Sequence, residues 1–192
     1  MLSERQEQII NESIKLIAEK GIQGFTIKNL SKAIGISEPA IYRHFKSKTD
    51  ILLTILEDFT KMADMLSKLV DNEKLSAFQK ISFIFNKMVD MFAETPSLVS
   101  VIFSEEIFKN EEVLKNKIIK ILNKNEETFD AIIKKGQKDK QIKTDSNEKT
   151  LALMVMGSLR LIVKRWDLNG HNFDLKKEGK LLLKSIEKVL TT

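Results

Sequence analysis

Residues 26–48 predict two short helices joined by a glycine turn, and this pattern restricts the fold more than any other feature of the chain. Thr26 and Ser37 carry side chains that can cap the two helices. Gly35 lies between the helices and suits the left-handed backbone conformation that other residues adopt only at a cost. The apolar positions that would hold the pair together are Leu30, Ile34, Ile36, Ile41 and Phe45. We therefore expect a helix-turn-helix, a motif whose second helix enters the DNA major groove.

The second helix distinguishes this pattern from an ordinary corner between two helices. A glycine between short amphipathic helices is common, but here polar and basic side chains surround the outward face while Ile41 and Phe45 point inward. These outward residues are Glu38, Pro39, Ala40, Tyr42, Arg43 and His44, and Lys46 and Lys48 follow them. The chain's only tyrosine beside Arg and His is unusual for a purely solvated face.

Composition excludes several other classes of protein. The 192 residues are 42% hydrophobic and 31% charged, which is typical of a globular chain. No cysteine is present, so disulfides and thiolate metal sites are excluded, and the two histidines do not form a nucleophile–base pair or a metal cluster. No apolar run approaches the roughly 20 residues that span a bilayer. We expect a cytoplasmic protein that is not an enzyme, needs no cofactor or metal and has no membrane partner.

Charge by itself says little about a nucleic-acid partner. The formal net charge is +5, but residues 1–50 hold eight Lys and Arg against six Asp and Glu, so the suspected motif is barely basic. The residue pattern carries the prediction.

Helical spacing of apolar residues continues along the whole chain, so we predict an all-α fold of nine helices. The first helix is capped by Ser3 with Gln6, buries Ile10, Ile14, Ile17 and Ala18, and ends at Gly21–Gly24. A second capping box, Ser47 with Asp50, opens a long helix with a buried face that continues to Leu69. The remaining helices are predicted at about 74–94, 96–108, 111–137, 146–167 and 174–190. We assign residues 1–46 to a DNA-binding domain and 47–192 to a six-helix domain for ligand binding and dimerisation.

The segment TIKNLSKAIGISEPAIYRHFKSKTDIL, residues 26–52, resembles the N-terminal DNA-binding region of the TetR family of bacterial transcriptional regulators. The specific part of the resemblance covers about residues 5–55, and the rest matches the family in helix count and length. It implies phosphate contacts by Thr26, Tyr42, His44 and Lys48. It also implies that Glu38, Pro39, Ala40 and Arg43 face base edges, where Arg can bind guanine through two hydrogen bonds. Ser37 and Lys46 complete the expected DNA-binding set, although capping alone would explain Thr26 and solvation alone would explain Lys46 and Lys48.

The predicted helix over residues 146–167 is apolar nearly all round its middle, so it must be buried on more than one side. One side would face the domain's own core, and the other a second copy of the chain. The last helix adds a further apolar face, and the two together resemble the paired helices of the TetR dimer interface. The expected interface residues are Leu153, Gly157, Arg160, Leu161, Leu182, Ile186 and Val189.

Methionine and phenylalanine side chains between these ends would mostly form core, but they also suit a pocket for an apolar ligand. The family resemblance implies such a pocket among helices four to eight. The candidate residues are Met62, Met65, Phe85, Met88, Phe92, Phe103, Phe129, Met154 and Arg160. For Arg160, pairing with an acid across the dimer or reaching water is favoured over contact with a ligand carboxylate.

The sequence thus predicts a homodimeric transcriptional regulator, most simply a repressor, that binds an inverted-repeat operator in double-stranded DNA and is released by a small, largely apolar molecule. Two alternatives stay open. One is a constitutive DNA-organising or cell-cycle protein that uses the same motif. The other is a helical ligand-binding or scaffold protein without DNA function.

Overall fold

The computed structural model describes residues 2–71, 74–104 and 111–191, and these form nine helices and no strands, as the sequence predicts. The helices are α1 (Glu4–Gly24), α2 (Ile27–Ile34), α3 (Glu38–Tyr42), α4 (Lys48–Leu69), α5 (Ala77–Glu94), α6 (Ser97–Ile102), α7 (Glu112–Lys138), α8 (Glu148–Leu168) and α9 (Leu175–Leu190). The predicted helix 96–108 is shorter, because the backbone leaves helical geometry at Phe103. Its last residues, 105–108, lie outside the described residues.

Contacts divide the chain into two compact units. The first unit comprises Met1–Lys61 and Pro96–Lys120, and the second comprises Met62–Thr95 and Ile121–Thr192. Helices α4 and α7 each contribute residues to both units. The expected domain boundary after residue 46 falls inside the first unit and stays a prediction.

In the first unit, α1 packs against α2 and α6, and α2 packs against α3. The Ser3 and Gln6 side chains cap α1 as a capping box, as predicted. Gly21, with φ 67° and ψ 178°, interrupts the helix before its last turn. The predicted buried face was partly wrong: Ala18 is exposed, whereas Ser13 and Leu16 are buried. Ser13 can occupy the interior because its hydroxyl donates to the Ile9 carbonyl at 2.7 Å.

The turn between α2 and α3 has the geometry expected from its glycine. Gly35 has φ 76° and ψ 33°, and the amides of Gly35 and Ile36 both donate to the Ser31 carbonyl, at 2.9 and 3.0 Å. A Cβ added at Gly35 would meet no atom within 4 Å. Glycine is therefore needed here for its backbone conformation and not for space.

In the second unit, α9 packs on α5 and α8. Gly179 permits a close approach, since an added Cβ would lie 3.2 Å from the Val89 Cγ2 atom. The turn between α8 and α9 is closed by Trp166, whose Nε1 donates to the Phe173 carbonyl at 2.9 Å. The ring of His171 lies 4.1 Å from that indole.

The structure shows which side of α9 is buried and shortens the predicted buried face of α4. The buried side of α9 carries Leu175, Gly179, Leu183, Ile186 and Leu190, whereas Leu181 and Val189 are exposed. At the end of α4, Leu69 is exposed, so the buried face stops at Leu66. Helical spacing alone could not fix these phases, because apolar residues surround both helices.

Replacing Gly35 with alanine should lower the free energy of unfolding by about 1–2 kcal/mol, because an L-residue is strained at this positive φ. Gly35→Asn is the matched control, since asparagine tolerates the left-handed region and should cost clearly less. Urea unfolding of the three proteins measures both changes. Equal stability of the alanine variant and the original chain would contradict the conformational argument.

Candidate nucleic-acid interface

Helix α3 is held by two buried apolar side chains. It contains only five residues, Glu38–Tyr42, too few for an isolated helix to persist in water. Ile41 is fully buried and Phe45, just after the helix, is 5% exposed. The amides of His44 and Phe45 both donate to the Ile41 carbonyl, at 2.9 and 3.1 Å, which closes the end of the helix. Packing therefore fixes both the position and the direction of the segment.

The opposite side of this segment is open to solvent. Tyr42 is 50% exposed, although it is one of the larger side chains of the chain. Ala40 is half-buried, and the other predicted residues of this face are exposed: Glu38, Pro39, Arg43, His44 and Lys46. The structure thus places the predicted base-facing residues and two of the four predicted phosphate contacts, Tyr42 and His44, on one exposed surface, which we call the α3 face (residues 38–40, 42–44 and 46).

The two capping residues beside the α3 face differ in their hydrogen bonds. Thr26 caps α2, and its Oγ1 accepts from the Asn29 amide at 3.1 Å, which leaves the hydroxyl proton free to be donated to a phosphate oxygen. Ser37 occupies the cap position of α3 in an extended conformation, but its side chain makes no capping hydrogen bond, so the prediction of a serine cap was wrong in this respect.

The start of α4 carries a modified capping box. The Ser47 hydroxyl accepts from the Asp50 amide at 3.1 Å, as predicted. The Asp50 carboxylate reaches one residue further back than expected and accepts from the Lys46 amide at 3.0 Å. This pair fixes the chain between Phe45 and α4, and therefore sets how the long helix leaves the motif.

Lys48 turns inward, where the sequence predicted a phosphate contact. Its Nζ donates to the Ile22 carbonyl at 3.2 Å and lies 5.2 Å from the centre of the Phe25 ring. Burial lowers the pKa of Lys48, and the nearby Glu111 carboxylate opposes this shift. The ammonium group thus joins the first turn of α4 to the corner between α1 and α2. The two residues are 26 positions apart, so no local pattern predicts this bond.

The residues predicted for a ligand pocket are dispersed. Phe85, Phe92 and Phe129 are buried as core side chains of the second unit. Met62, Met88 and Met154 are half-buried in the same unit, whereas Met65 and Arg160 are exposed. Phe103 is half-buried and belongs to the first unit.

The residues predicted for a dimer interface are mostly exposed in the single chain. Leu153 and Leu161 on α8 are 66% and 68% exposed, and Val189 on α9 is 52% exposed. Gly157 and Arg160 are also exposed, and Leu182 is half-buried. Ile186 differs, since it lies in the core of the second unit and is 4% exposed. Leu181 on α9 is also exposed, and so is Leu168 at the end of α8, which sequence reasoning missed.

Comparison with known proteins covers nearly the whole chain. Residues 9–55 match a family model described as bacterial regulatory proteins, tetR family. Residues 57–188 match a second model, described as YsiA-like protein, C-terminal region. No helix of the described residues has the length and apolar character needed to cross a bilayer.

Two kinds of relative cover similar shares of the chain. The fatty acid metabolism regulator protein of Bacillus subtilis is 26% identical over 170 residues, 88% of this chain and 86% of the relative. The nucleoid occlusion factor SlmA of Actinobacillus pleuropneumoniae is 24% identical over 176 residues, 88% of this chain and 87% of that protein.

A solved structure shares the fold. The crystal structure of the transcriptional regulator FadR from Bacillus subtilis in complex with stearoyl-CoA superposes with a TM-score of 0.82 at 24% identity, over 95% of this chain and 98% of that one.

Lys48→Met should lower the free energy of unfolding by about 1 kcal/mol, because it removes the hydrogen bond to Ile22 from a half-buried position. Lys46→Met is the matched control and should leave stability unchanged, since that side chain is exposed. Denaturant unfolding compares the two. If both variants are as stable as the original chain, the inward role of Lys48 is wrong.

Proposed function

This chain belongs to the TetR family of bacterial regulatory proteins, and we propose that it represses transcription by binding an inverted-repeat operator as a homodimer. The family consists of regulators and not enzymes. The observation that carries the proposal is the α3 face: an exposed row of Tyr42, Arg43 and His44 on a segment that Ile41 and Phe45 hold rigid by burial. A short helix fixed in this way can enter a major groove without first having to order itself.

The α3 face offers both kinds of DNA contact. Arg43 can donate two hydrogen bonds to the edge of a guanine, and Glu38 can accept from a cytosine amino group. Tyr42, His44 and the free hydroxyls of Thr26 and Ser37 can donate to phosphate oxygens, which fixes the register of the helix on the duplex. Because Lys48 is already bonded within the protein, we assign it a lesser part in DNA binding than the family resemblance implies.

Dimerisation rests on the exposed apolar residues of α8 and α9, two helices that pack against each other. We call this the α8–α9 face, and it comprises Leu153, Gly157, Leu161, Leu168, Leu181 and Val189. Three of its leucines are more than 60% exposed in the single chain, an unfavourable arrangement unless a second copy covers them. Two copies joined in this way would present two α3 faces to half-sites related by a two-fold axis.

For the effector we propose a long-chain acyl thioester. The fatty acid metabolism regulator of Bacillus subtilis and the FadR structure with stearoyl-CoA support this choice. Within the second unit, half-buried Met62, Met88 and Met154 are flexible side chains that can adapt to an alkyl chain. Helix α4 contains Met62 and begins six residues after α3 ends, so an effector that shifts α4 would change the spacing of the two α3 faces.

A titration of operator binding tests the effector. Fluorescence anisotropy of a labelled operator should show release by stearoyl-CoA and none by free coenzyme A, because only the acyl chain reaches the apolar side chains. If no acyl thioester of any chain length changes operator affinity, the effector is wrong while the DNA-binding function stands.

A second function is favoured by one specific observation, the similarity to nucleoid occlusion factors. Such a protein would bind many dispersed chromosomal sites and would not need an effector. Mapping of the protein across the genome separates the two functions: a few sites near promoters support the repressor, whereas many sites far from promoters support the alternative. A scaffold without DNA function would give no enriched sites.

Arg43→Ala should weaken operator binding by about 10- to 100-fold, the usual cost of losing a two-bond contact to guanine. Its stability should not change, because the side chain is exposed. Lys140→Ala is a charge-matched control in the second unit and should bind the operator as the original chain does. If the Arg43 variant binds the operator with unchanged affinity, Arg43 does not contact the DNA, and the result supports the alternative of a scaffold without DNA function.

Leu161→Lys should shift the chain toward monomer, because it places a charge in the centre of the α8–α9 face. Sedimentation velocity measures the shift, and operator affinity should fall with it. Met65→Lys, at an exposed apolar position on α4, is the control and should remain dimeric. A dimeric Leu161 variant would show that another surface joins the two copies.

A further inference from the structure

Lys48 connects the start of α4 to the corner between α1 and α2, which we call the α1–α2 corner (residues 21–26). Lys48 is the first residue of α4, and its ammonium group donates to the Ile22 carbonyl at 3.2 Å. The same carbonyl accepts from the Phe25 amide at 3.3 Å. The Phe25 ring is fully buried, and its centre lies 5.2 Å from the ammonium group. The lysine therefore bonds to a part of the corner that is already fixed by burial.

The α1–α2 corner carries one of the predicted phosphate contacts, the exposed Thr26. The Gly24 carbonyl accepts from the Thr26 amide at 3.1 Å and from the Asn29 side chain at 2.9 Å. These bonds tie Thr26 and the first turn of α2 to the corner. A shift of the corner would therefore move the Thr26 hydroxyl and α2 together, and with α2 the α3 helix that packs against it.

Side-chain hydrogen bonds attach the first turn of α4 to both ends of the helix-turn-helix. At the α3 end, the Asp50 carboxylate accepts from the Lys46 amide at 3.0 Å. At the α2 end, Lys48 donates to Ile22. Attachment at one end alone would let the motif turn about residues 45–47, whereas attachment at both ends fixes its direction. Apolar burial holds these parts together without fixing a direction, so the direction depends on such bonds.

A lysine at this position has a cost that an apolar side chain would avoid. Burial lowers the pKa of Lys48, and the charge of Glu111 opposes this shift. A methionine could cover the Phe25 ring without that cost, but it could not donate to the Ile22 carbonyl. The residue type therefore favours a role in which a directional bond matters more than packing.

We propose that Lys48 is a positioning residue for operator binding, which holds the α1–α2 corner on the first turn of α4 so that Thr26 and the α3 face meet the duplex together. This inference rests on the DNA-binding function proposed above. The ammonium group stays on the Ile22 carbonyl in the complex and does not transfer to a phosphate. Lys48 thus affects operator affinity through the corner and not through contact with the duplex.

The salt dependence of operator binding separates a positioning lysine from one that contacts phosphate. Each lysine that neutralises a phosphate adds about one to the slope of log affinity against log salt concentration, so a dimer that loses two such lysines should lose about two. Fluorescence anisotropy over a series of salt concentrations measures affinity and slope together. Lys48→Met should weaken binding by about tenfold, because each copy loses the alignment of a phosphate contact and of α3.

Lys140→Met is the matched control, since it removes an exposed charge from the second unit. The slope for Lys48→Met should fall no more than the slope for this control. Lys48→Arg should restore most of the affinity, because a guanidinium group can donate to the same carbonyl and lie over the same ring. If the methionine variant does not fold, Lys48→Gln provides a second neutral side chain for the slope measurement.

Three results would overturn the proposal: a slope that falls by about two for a neutral variant, an unchanged affinity of Lys48→Met, or an arginine variant that binds as weakly as the methionine variant. Each of these results requires that the original chain binds the operator. Absence of operator binding by the original chain would instead contradict the DNA-binding function, and this inference with it.

Discussion

The burial of Ile41 and Phe45 is the interaction on which the first unit depends. A five-residue helix has few internal hydrogen bonds and cannot repay the entropy of ordering its own backbone. Its stability comes from two apolar side chains that are removed from water on one side, with the Gly35 turn directing them inward. Because these contacts are all on the inner side, the outer side chains do not contribute to the packing of α3. They are therefore available to contact a ligand.

In the second unit, helix α8 has more apolar surface than the core of that unit covers. Leu151, Val155, Leu159 and Val163 fill the inner side, and Leu153, Leu161 and Leu168 remain exposed. The same helix therefore stabilises the fold on one side and leaves apolar side chains exposed on the other.

The sequence was sufficient to predict features that depend on residues close together in the chain, such as helix starts and turns. Caps placed the starts of α1, α2 and α4 within a residue, and Gly35 fixed the turn between α2 and α3, because each of these features involves residues only a few positions apart. It failed where distant residues decide. The inward bond of Lys48 to Ile22, the phase of α9 and the burial of Lys80 all depend on which helices pack together, and a helical repeat does not contain that information. The outward positions of Leu153 and Leu161 on α8 were predictable because a helix that is apolar nearly all round needs two covered sides, whereas Leu168 at its end was not predicted.

In the α3 segment, the residues that anchor it to the protein are different from those that face outward, and this separation has an evolutionary consequence. Since Ile41 and Phe45 anchor the segment and its neighbours do not, Glu38, Arg43 and His44 can be exchanged without loss of folding. A duplicated copy of such a gene could acquire a new target by a few surface substitutions, each neutral for stability. Diversification of targets would then proceed independently of selection on the protein's interior.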